Sequence, residues 1–443
     1  MSDKSHTDSS PQSSIEFLYS LEKFGIKMDL DNIGALMEYA GNPHKRLKVI
    51  HVAGTNGKGS TCAMIASVLS SSGYKVGLYT SPHIVSFTER IRINGTSIPE
   101  DRLVELVIFF RNEIQRLRAT FFEATTAIMF KYFADEGVDY GVVETGLGGR
   151  LDATNIVDPI VSVITGIGLD HTEHLGSTLE KIAFEKAGII KHGRPAVVNV
   201  TVDSVKQVFS DAGLQRGARI YFVSEVAAVE KSVTGIESSV LDARIFETVY
   251  DTLKVDLGGK YQERNALTAL AAIHVLEDNR VVIPKSAVYE GFSSVRQKTG
   301  IHGRLEVVSR NPLVILDVAH NPDGIQSLLE SLAPLLEERK GIALFAAMKD
   351  KDAASMLNSL RERFSRIILT HLQIGRSLGI DDLNKLCDGI KLHTQIFDNS
   401  TDALRAAVSH TDNDSFLLIT GSHYLAGEVL PVLDKSVMNL ESP

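Results

Sequence analysis

Short, almost wholly apolar runs, each followed by a stretch of helical periodicity, recur along this 443-residue chain. They do not alternate apolar with polar residues. A strand apolar on both faces must be covered on both faces, which is the pattern of a parallel sheet flanked by helices. Strands are predicted at 48–53, 75–80, 138–144, 160–165 and 195–200. Helices are predicted near 59–72, 100–117, 122–135 and 178–188. Residues 81–97 read as irregular. Residues 219–257, rich in Val, Thr and Ser, read as an antiparallel patch. Helices resume near 261–277 and 284–295.

The stretch GFSSVRQKTGIHGR at 291–304 carries three glycines among polar residues and reads as a hinge. The alternation then restarts, with strands at 313–317, 342–346, 367–369 and 415–419. Helices are expected there near 323–335, 352–363, 401–409 and 423–434. The expectation is a disordered leader over 1–13, a first α/β domain over 14–296, a hinge at 297–303 and a second, Rossmann-like α/β domain over 304–443.

Forty-six basic against 55 acidic residues leave a net charge of −9. That argues against a partner held by bulk phosphate neutralisation, so no nucleic acid is expected. No run of ~18 apolar residues occurs, so no membrane span is expected. Two cysteines, Cys62 and Cys387, make no metal or redox pair and fit a reducing cytoplasm. Without heptads or an obvious apolar edge, a monomer is expected.

VIHVAGTNGKGST at 49–61 lies where a strand gives way to a helix. Glycines let the backbone point its N–H groups at an anion, and the helix N-terminus adds partial positive charge. Gly54, Thr55, Asn56, Gly57, Lys58, Gly59, Ser60 and Thr61 therefore form a candidate ATP phosphate loop. Lys58 supplies a full charge, and Ser60 or Thr61 offers a hydroxyl to Mg²⁺. The spacing departs from G-x-x-x-x-G-K-[ST], and the alternative is a structural glycine turn with a solvated lysine. The first domain is thus expected to be a P-loop ATPase-like parallel sheet with a small antiparallel β patch. No guanine-reading NKxD sequence follows.

Glu144 ends an apolar strand, where α/β sheets bind ligands, and is a candidate metal ligand. Asp317 likewise ends the strand predicted at 313–317, and Asn321-Pro322 reads as a helix start. In the helix near 178–188, Lys186 falls within the apolar stripe of Leu179, Ile182, Ala183, Ala187 and Ile190. A buried lysine is costly when charged, so its pKa should fall towards neutrality. The alternative is a lysine whose stem is buried and whose head reaches water.

Nine segments in order resemble the Mur-ligase superfamily, and within it the folylpolyglutamate and dihydrofolate synthases. They are HVAGTNGKGST (51–61), TSPHIVSFTERIRING (80–95), VVETGLGGRLDATN (142–155), GLDHTEHLGSTLEKIAFEKAGIIK (168–191), YQERNALTAL (261–270), HGRLEVV (302–308), LDVAHNPDG (316–324), AMKDKD (347–352) and GSHYLAGE (421–428). The resemblance implies an ATP-dependent amide ligase. A substrate carboxylate is phosphorylated, L-glutamate attacks the acyl phosphate, and phosphate leaves. The acceptor is dihydropteroate, a folate, or both. A synthase confined to folate polyglutamylation and a non-catalytic nucleotide-binding regulator are the alternatives.

The resemblance also implies roles for single residues. Lys58, Lys186 and His320 are catalytic. Asn265, Arg304 and Asp317 join the ATP site. Two Mg²⁺ sites draw on Ser60, Glu144, His171 and a carbamylated Lys186, although on residue chemistry alone His171 reads rather as a hydrogen-bonded loop histidine, since Mg²⁺ prefers oxygen. His83, Thr120, Phe122, Arg150 and Asp152 are assigned to the pterin or folate, Asp152 as an acceptor for the ring. Phe122 can equally be core. His320 and Ser422 are assigned to glutamate.

Overall fold

The computed structural model describes residues 10–438. Among these, three sheets form. The first takes β1 Val49–Ala53, β2 Val76–Tyr79, β3 Ile91–Ile93, β4 Thr96–Ser97, β5 Tyr140–Glu144, β6 Val161–Ile164, β7 Ala196–Val198 and β8 Ile220–Phe222 in the order β4-β3-β2-β5-β1-β6-β7-β8. From β2 to β8 it is parallel, and β3 and β4 add an antiparallel edge. The second sheet is antiparallel: β9 Ala227–Thr234, β10 Ser239–Ile245 and β11 Thr248–Val255. The third takes β12 Glu306–Arg310, β13 Leu313–Leu316, β14 Lys340–Phe345, β15 Arg366–Thr370, β16 Gln395–Phe397 and β17 Ser415–Thr420 in the order β12-β13-β17-β14-β15-β16. It is parallel except for β12.

The apolar runs became the buried central strands, because every residue of β1, β2, β5 and β6 lies out of solvent. Several predictions of local structure fail for one shared reason. The hairpin of β3 and β4 occupies part of the stretch read as irregular. β8 joins the parallel sheet rather than the antiparallel patch. The helices Asp203–Arg216 and Ile380–Ile390, with β12 and β16, have no counterpart among the expected elements. Most are short or half-exposed edge elements, whose apolar signal is weak.

Part of the segment expected as a leader, 1–13, is helical. Residues 1–9 lie outside the described residues, and a helix runs over Pro11–Ser20 with Ser10 as its N-cap. The hinge also shrinks. Lys285–Ser293 and Val295–Thr299 are helical, and Phe292 and Val295 are fully buried. Gly291 presses on the phosphate-loop helix Lys58–Ser71: a Cβ there would lie 2.6 Å from the Val68 Cα. Ser67 Oγ donates to the Gly291 carbonyl at 2.7 Å. Only about 300–303 are left to connect the two large sheets.

Candidate active site

Three loops leave the carboxyl ends of neighbouring strands β1, β5 and β6 and meet. The β1 loop is the candidate phosphate loop. Gly54 (φ 155°) and Gly57 (φ 85°) make it possible, since a Cβ at Gly54 would lie 2.0 Å from Thr165 Oγ1 and one at Gly57 2.3 Å from Asn265 Oδ1. Thr55 Oγ1 donates to the Gly168 carbonyl at 3.1 Å and accepts from its N–H, tying the loop to the one after β6. Ser60 Oγ accepts from Gln262 Nε2 at 3.3 Å. Thr61 Oγ1 is buried with no hydrogen-bond partner among the described residues. Asn265 donates to Gln262 at 2.8 Å, so both lie against the loop as their spacing on one helix face requires.

Lys58 is the electrostatic centre. Its Nζ donates to the carbonyls of Gly54 and Thr55 at 3.1 and 3.2 Å and lies 4.0 Å from Glu144 Oε1. Glu144 is buried, and burial raises its carboxyl pKa against the opposing charges of Lys58 and Arg304. Its Oε2 accepts from the Ser81 N–H at 3.1 Å. Arg304 approaches from the hinge: its Nη2 lies 3.3 Å from where a Cβ of Gly59 would be. A side chain at 59 would fill the space between Arg304 and Glu144.

Lys186 is buried, as its helix position predicted. Its Nζ donates to the Gly54 carbonyl at 2.9 Å. Burial, helped by Lys58, lowers its pKa to about 7. His171 is brought to about 4, chiefly by burial. Its Nε2 lies 3.4 Å from Lys351 Nζ, which itself donates to Asp170.

The third sheet contributes the opposite wall from the ends of β13, β14 and β17. Asp317 accepts from Tyr261 Oη and the Leu305 N–H, each at 2.8 Å, and from the Ala319 N–H at 2.9 Å. His320 Nδ1 lies 3.0 Å from the Val318 carbonyl, and its ring centroid is 5.3 Å from that of His423. Burial and the charge of Lys351 bring His320 to about 4, so it is neutral at pH 7. Asn321 caps its helix by accepting from the Gly324 N–H, and its amide exchanges hydrogen bonds with that of Asn56 at 3.0 and 3.2 Å. Phosphate loop and third sheet therefore touch directly. Ser422 is buried, with its Oγ accepting from the Tyr424 N–H at 3.1 Å.

Three of the five residues assigned to the pterin or folate stand differently from the expectation. Thr120 is a helix cap: its Oγ1 accepts from the Glu123 N–H, and Glu123 accepts in return from the Thr120 N–H. Arg150 turns away to pair with Glu185 at 2.9 Å on the surface. Asp152 accepts from the N–H groups of Gly146, Leu147 and Thr154 and from the Thr154 hydroxyl. All four acceptor positions of the carboxylate are filled by the chain, so it shapes the loop and offers no free oxygen to a ring. His83 accepts at Nδ1 from Arg90 Nε at 2.8 Å and meets Tyr19 Oη through Nε2 at 3.0 Å. The tip of the Phe122 ring meets the glycine loop, where a Cβ at Gly146 would fall 2.5 Å from its Cζ.

Lys351, Asp170, Asn321, Ser81, Arg92 and His423 also stand around this cleft and were not singled out from sequence. Lys351 lay in the quoted AMKDKD, but nothing local shows that it reaches a partner 181 positions away.

Two large α/β layers, a phosphate loop under a buried carboxylate, and a facing Asp-His-Asn loop define an ATP-dependent ligase of the Mur type. The Mur ligase middle domain matches residues 52–273, and the Mur ligase glutamate ligase domain matches 303–423. A Bacillus subtilis dihydrofolate synthase/folylpolyglutamate synthase is 34% identical over 94% of this chain and 98% of its own. A Mycobacterium tuberculosis folylpolyglutamate synthase, solved with ADP and AMPPCP, superposes with a TM-score of 0.87 at 30% identity over 96% of this chain and 99% of that one. Escherichia coli FolC in complex with DHPP and ADP gives 0.84 at 30% identity, over 95% and 98%. The chain belongs to the dihydrofolate synthase/folylpolyglutamate synthase family.

Proposed function

We propose that this ligase joins the amine of L-glutamate to the carboxylate of dihydropteroate and to the terminal glutamate of folates. The observation that carries this is the amide pair of Asn56 and Asn321, which brings the nucleotide loop and the His320 loop to one cleft. Acyl activation and amine attack are then neighbouring events. The carboxylate oxygen attacks the γ-phosphorus of ATP and ADP departs. The glutamate amine then attacks the acyl carbon, and phosphate leaves as the amine gives up its proton.

Lys58 and Arg304 supply the charge that stabilises the phosphoryl group in transfer. Neutral His320, facing the same space, takes the proton from the attacking amine. Asp317 and Asn265 hold the nucleotide side, Ser422 the glutamate side, and Phe122 and His83 the acceptor side.

A divalent cation fits one place well. Glu144 is a buried carboxylate with Lys58 Nζ 4.0 Å from its Oε1 and the Ser81 N–H on its Oε2, and Ser60 and Thr61 offer hydroxyls from the helix that begins at Lys58. Among the described residues no group of three His, Cys, Asp or Glu side chains is placed to hold a metal ion by itself. That suits Mg²⁺, which completes its shell with water and phosphate oxygens. The cation would neutralise phosphate charge. A second ion would fit His171 once Lys186 carries a carbamate, because Mg²⁺ favours oxygen ligands. We place the enzyme in the cytoplasm as a monomer. Both cysteines are buried and free, and no helix of the described residues is long and apolar enough to cross a membrane.

The test is phosphate release from ATP by the purified protein with glutamate, with dihydropteroate and tetrahydrofolate supplied separately. Release dependent on glutamate and on either acceptor is expected. Release with neither overturns the reading, and release with tetrahydrofolate alone restricts it to polyglutamylation.

A further inference from the structure

Between β2, the loop after it, and the connector at 300–302 lies a small cavity of about 40 Å³. Glu144, Gly59, Arg304 and His423 border it towards the phosphate loop, and Arg92 and His302 line it as well. Forty cubic ångströms is room for a few water-sized groups, not for a substrate's rings.

Arg92 is unusual. The residue is 7% exposed, yet its guanidinium has no hydrogen-bond or ion-pair partner among the described residues. Glu89, whose negative charge acts on Arg92, makes its hydrogen bonds elsewhere. Glu89 accepts from the N–H groups of Ile84, Val85 and Ser86 at 2.9, 3.0 and 2.7 Å. The connector makes room for the guanidinium, since a Cβ at Gly300 (φ 62°) would fall 3.4 Å from Arg92 Nε. A guanidinium largely withdrawn from solvent, with donors open towards the cavity beside it, is placed to take an acceptor there. Its planar fork matches a carboxylate. His302, held towards its protonated form by Glu306 at 2.9 Å, stands at the same cavity.

We propose that Arg92 binds a second carboxylate of the acceptor substrate, the α-carboxylate of a γ-linked glutamyl tail whose other carboxylate is being activated beside Glu144 and Lys58. This rests on the function proposed above and deepens it. A folate tail ends in two carboxylates, only one of which reacts. Dihydropteroate ends in one. Arg92 is thus a residue that selects the glutamyl acceptor and fixes which of its carboxylates meets ATP.

The test compares two acceptors differing only in that group: tetrahydropteroyl-glutamate and tetrahydropteroyl-γ-aminobutyrate. Wild type should favour the first in kcat/KM. In Arg92→Met the preference should fall by about 30-fold or more, the loss expected when one partner of a buried charge pair is removed. Arg92→Lys should recover part of it. Equal losses on both acceptors would make Arg92 structural and overturn the proposal. So would a raised KM for L-glutamate with the preference kept, which would assign the arginine to the incoming amino acid. Should Arg92→Met not fold, wild type alone decides: no preference for the α-carboxylate refutes the proposal. Absence of turnover with every acceptor would instead refute the proposed function.

Discussion

Lys351 Nζ donates a hydrogen bond to Asp170 Oδ1 at 2.5 Å, joining the loop after β14 to the loop after β6. Both side chains are nearly buried, at 7% and 9% exposure. Against the pull of burial, His171 and Lys351 hold the Asp170 carboxyl well below its ordinary range. Together with Asn56 and Asn321, this pair fastens the third sheet to the phosphate loop.

Removing one partner of a buried pair leaves an uncompensated charge and costs roughly 3–5 kcal/mol. Lys351→Met should therefore loosen the contact between the two large sheets. Small-angle scattering should show a larger radius of gyration than wild type. An unchanged profile would show that the pair does not hold the domains together.

Lys58→Ala removes the central charge of the phosphate loop. Turnover should fall by about 10²–10³-fold or more, as is usual when an electrostatic stabiliser of the transition state is lost. Steady-state phosphate release, with circular dichroism to verify folding, measures it. Near-normal release would displace the phosphate assignment.

Lys186, with a pKa near 7, is largely a free amine at pH 8. A neutral amine adds CO₂ to give a carbamate and a proton. Native mass spectrometry at pH 8 in bicarbonate should detect the mass of one CO₂ on the wild type and none on Lys186→Met. Activity should fall when bicarbonate is stripped and return when it is restored. An unmodified, fully active wild type would remove the carbamate from the site.

Asp152→Ala deletes the acceptor for three backbone N–H groups and one hydroxyl. Each buried donor left unpaired costs about 1–3 kcal/mol, with partial relaxation. A loss of about 3 kcal/mol in urea unfolding is expected, with faster proteolysis between Gly146 and Gly149. Unchanged stability would return Asp152 to a role in direct substrate contact.

How much of this was legible in sequence varies with the kind of signal. The parallel sheets were readable because β1, β5 and β6 are apolar on both faces, a pattern carried by each segment alone. The tight turn between β1 and the next helix was readable because Gly54 and Gly57 allow backbone conformations that other residues rarely adopt. The burial of Lys186 followed from helical periodicity. That Glu144 and Asp317 come to the cleft could be expected from their place at strand ends.

What the sequence left undecided concerns partners rather than elements. Thr120 and Asp152 were assigned outward roles, yet their oxygens turned inward to cap a helix and a loop. Arg150 was expected in the pocket, yet Glu185, 35 positions away, draws it to the surface. Lys351 with Asp170, Asn56 with Asn321 and the unpaired Arg92 exist as features only after the sheets have assembled. A side chain's type limits which bonds it can make, but the choice among them is made by which groups the fold brings within about 3 Å and removes from water.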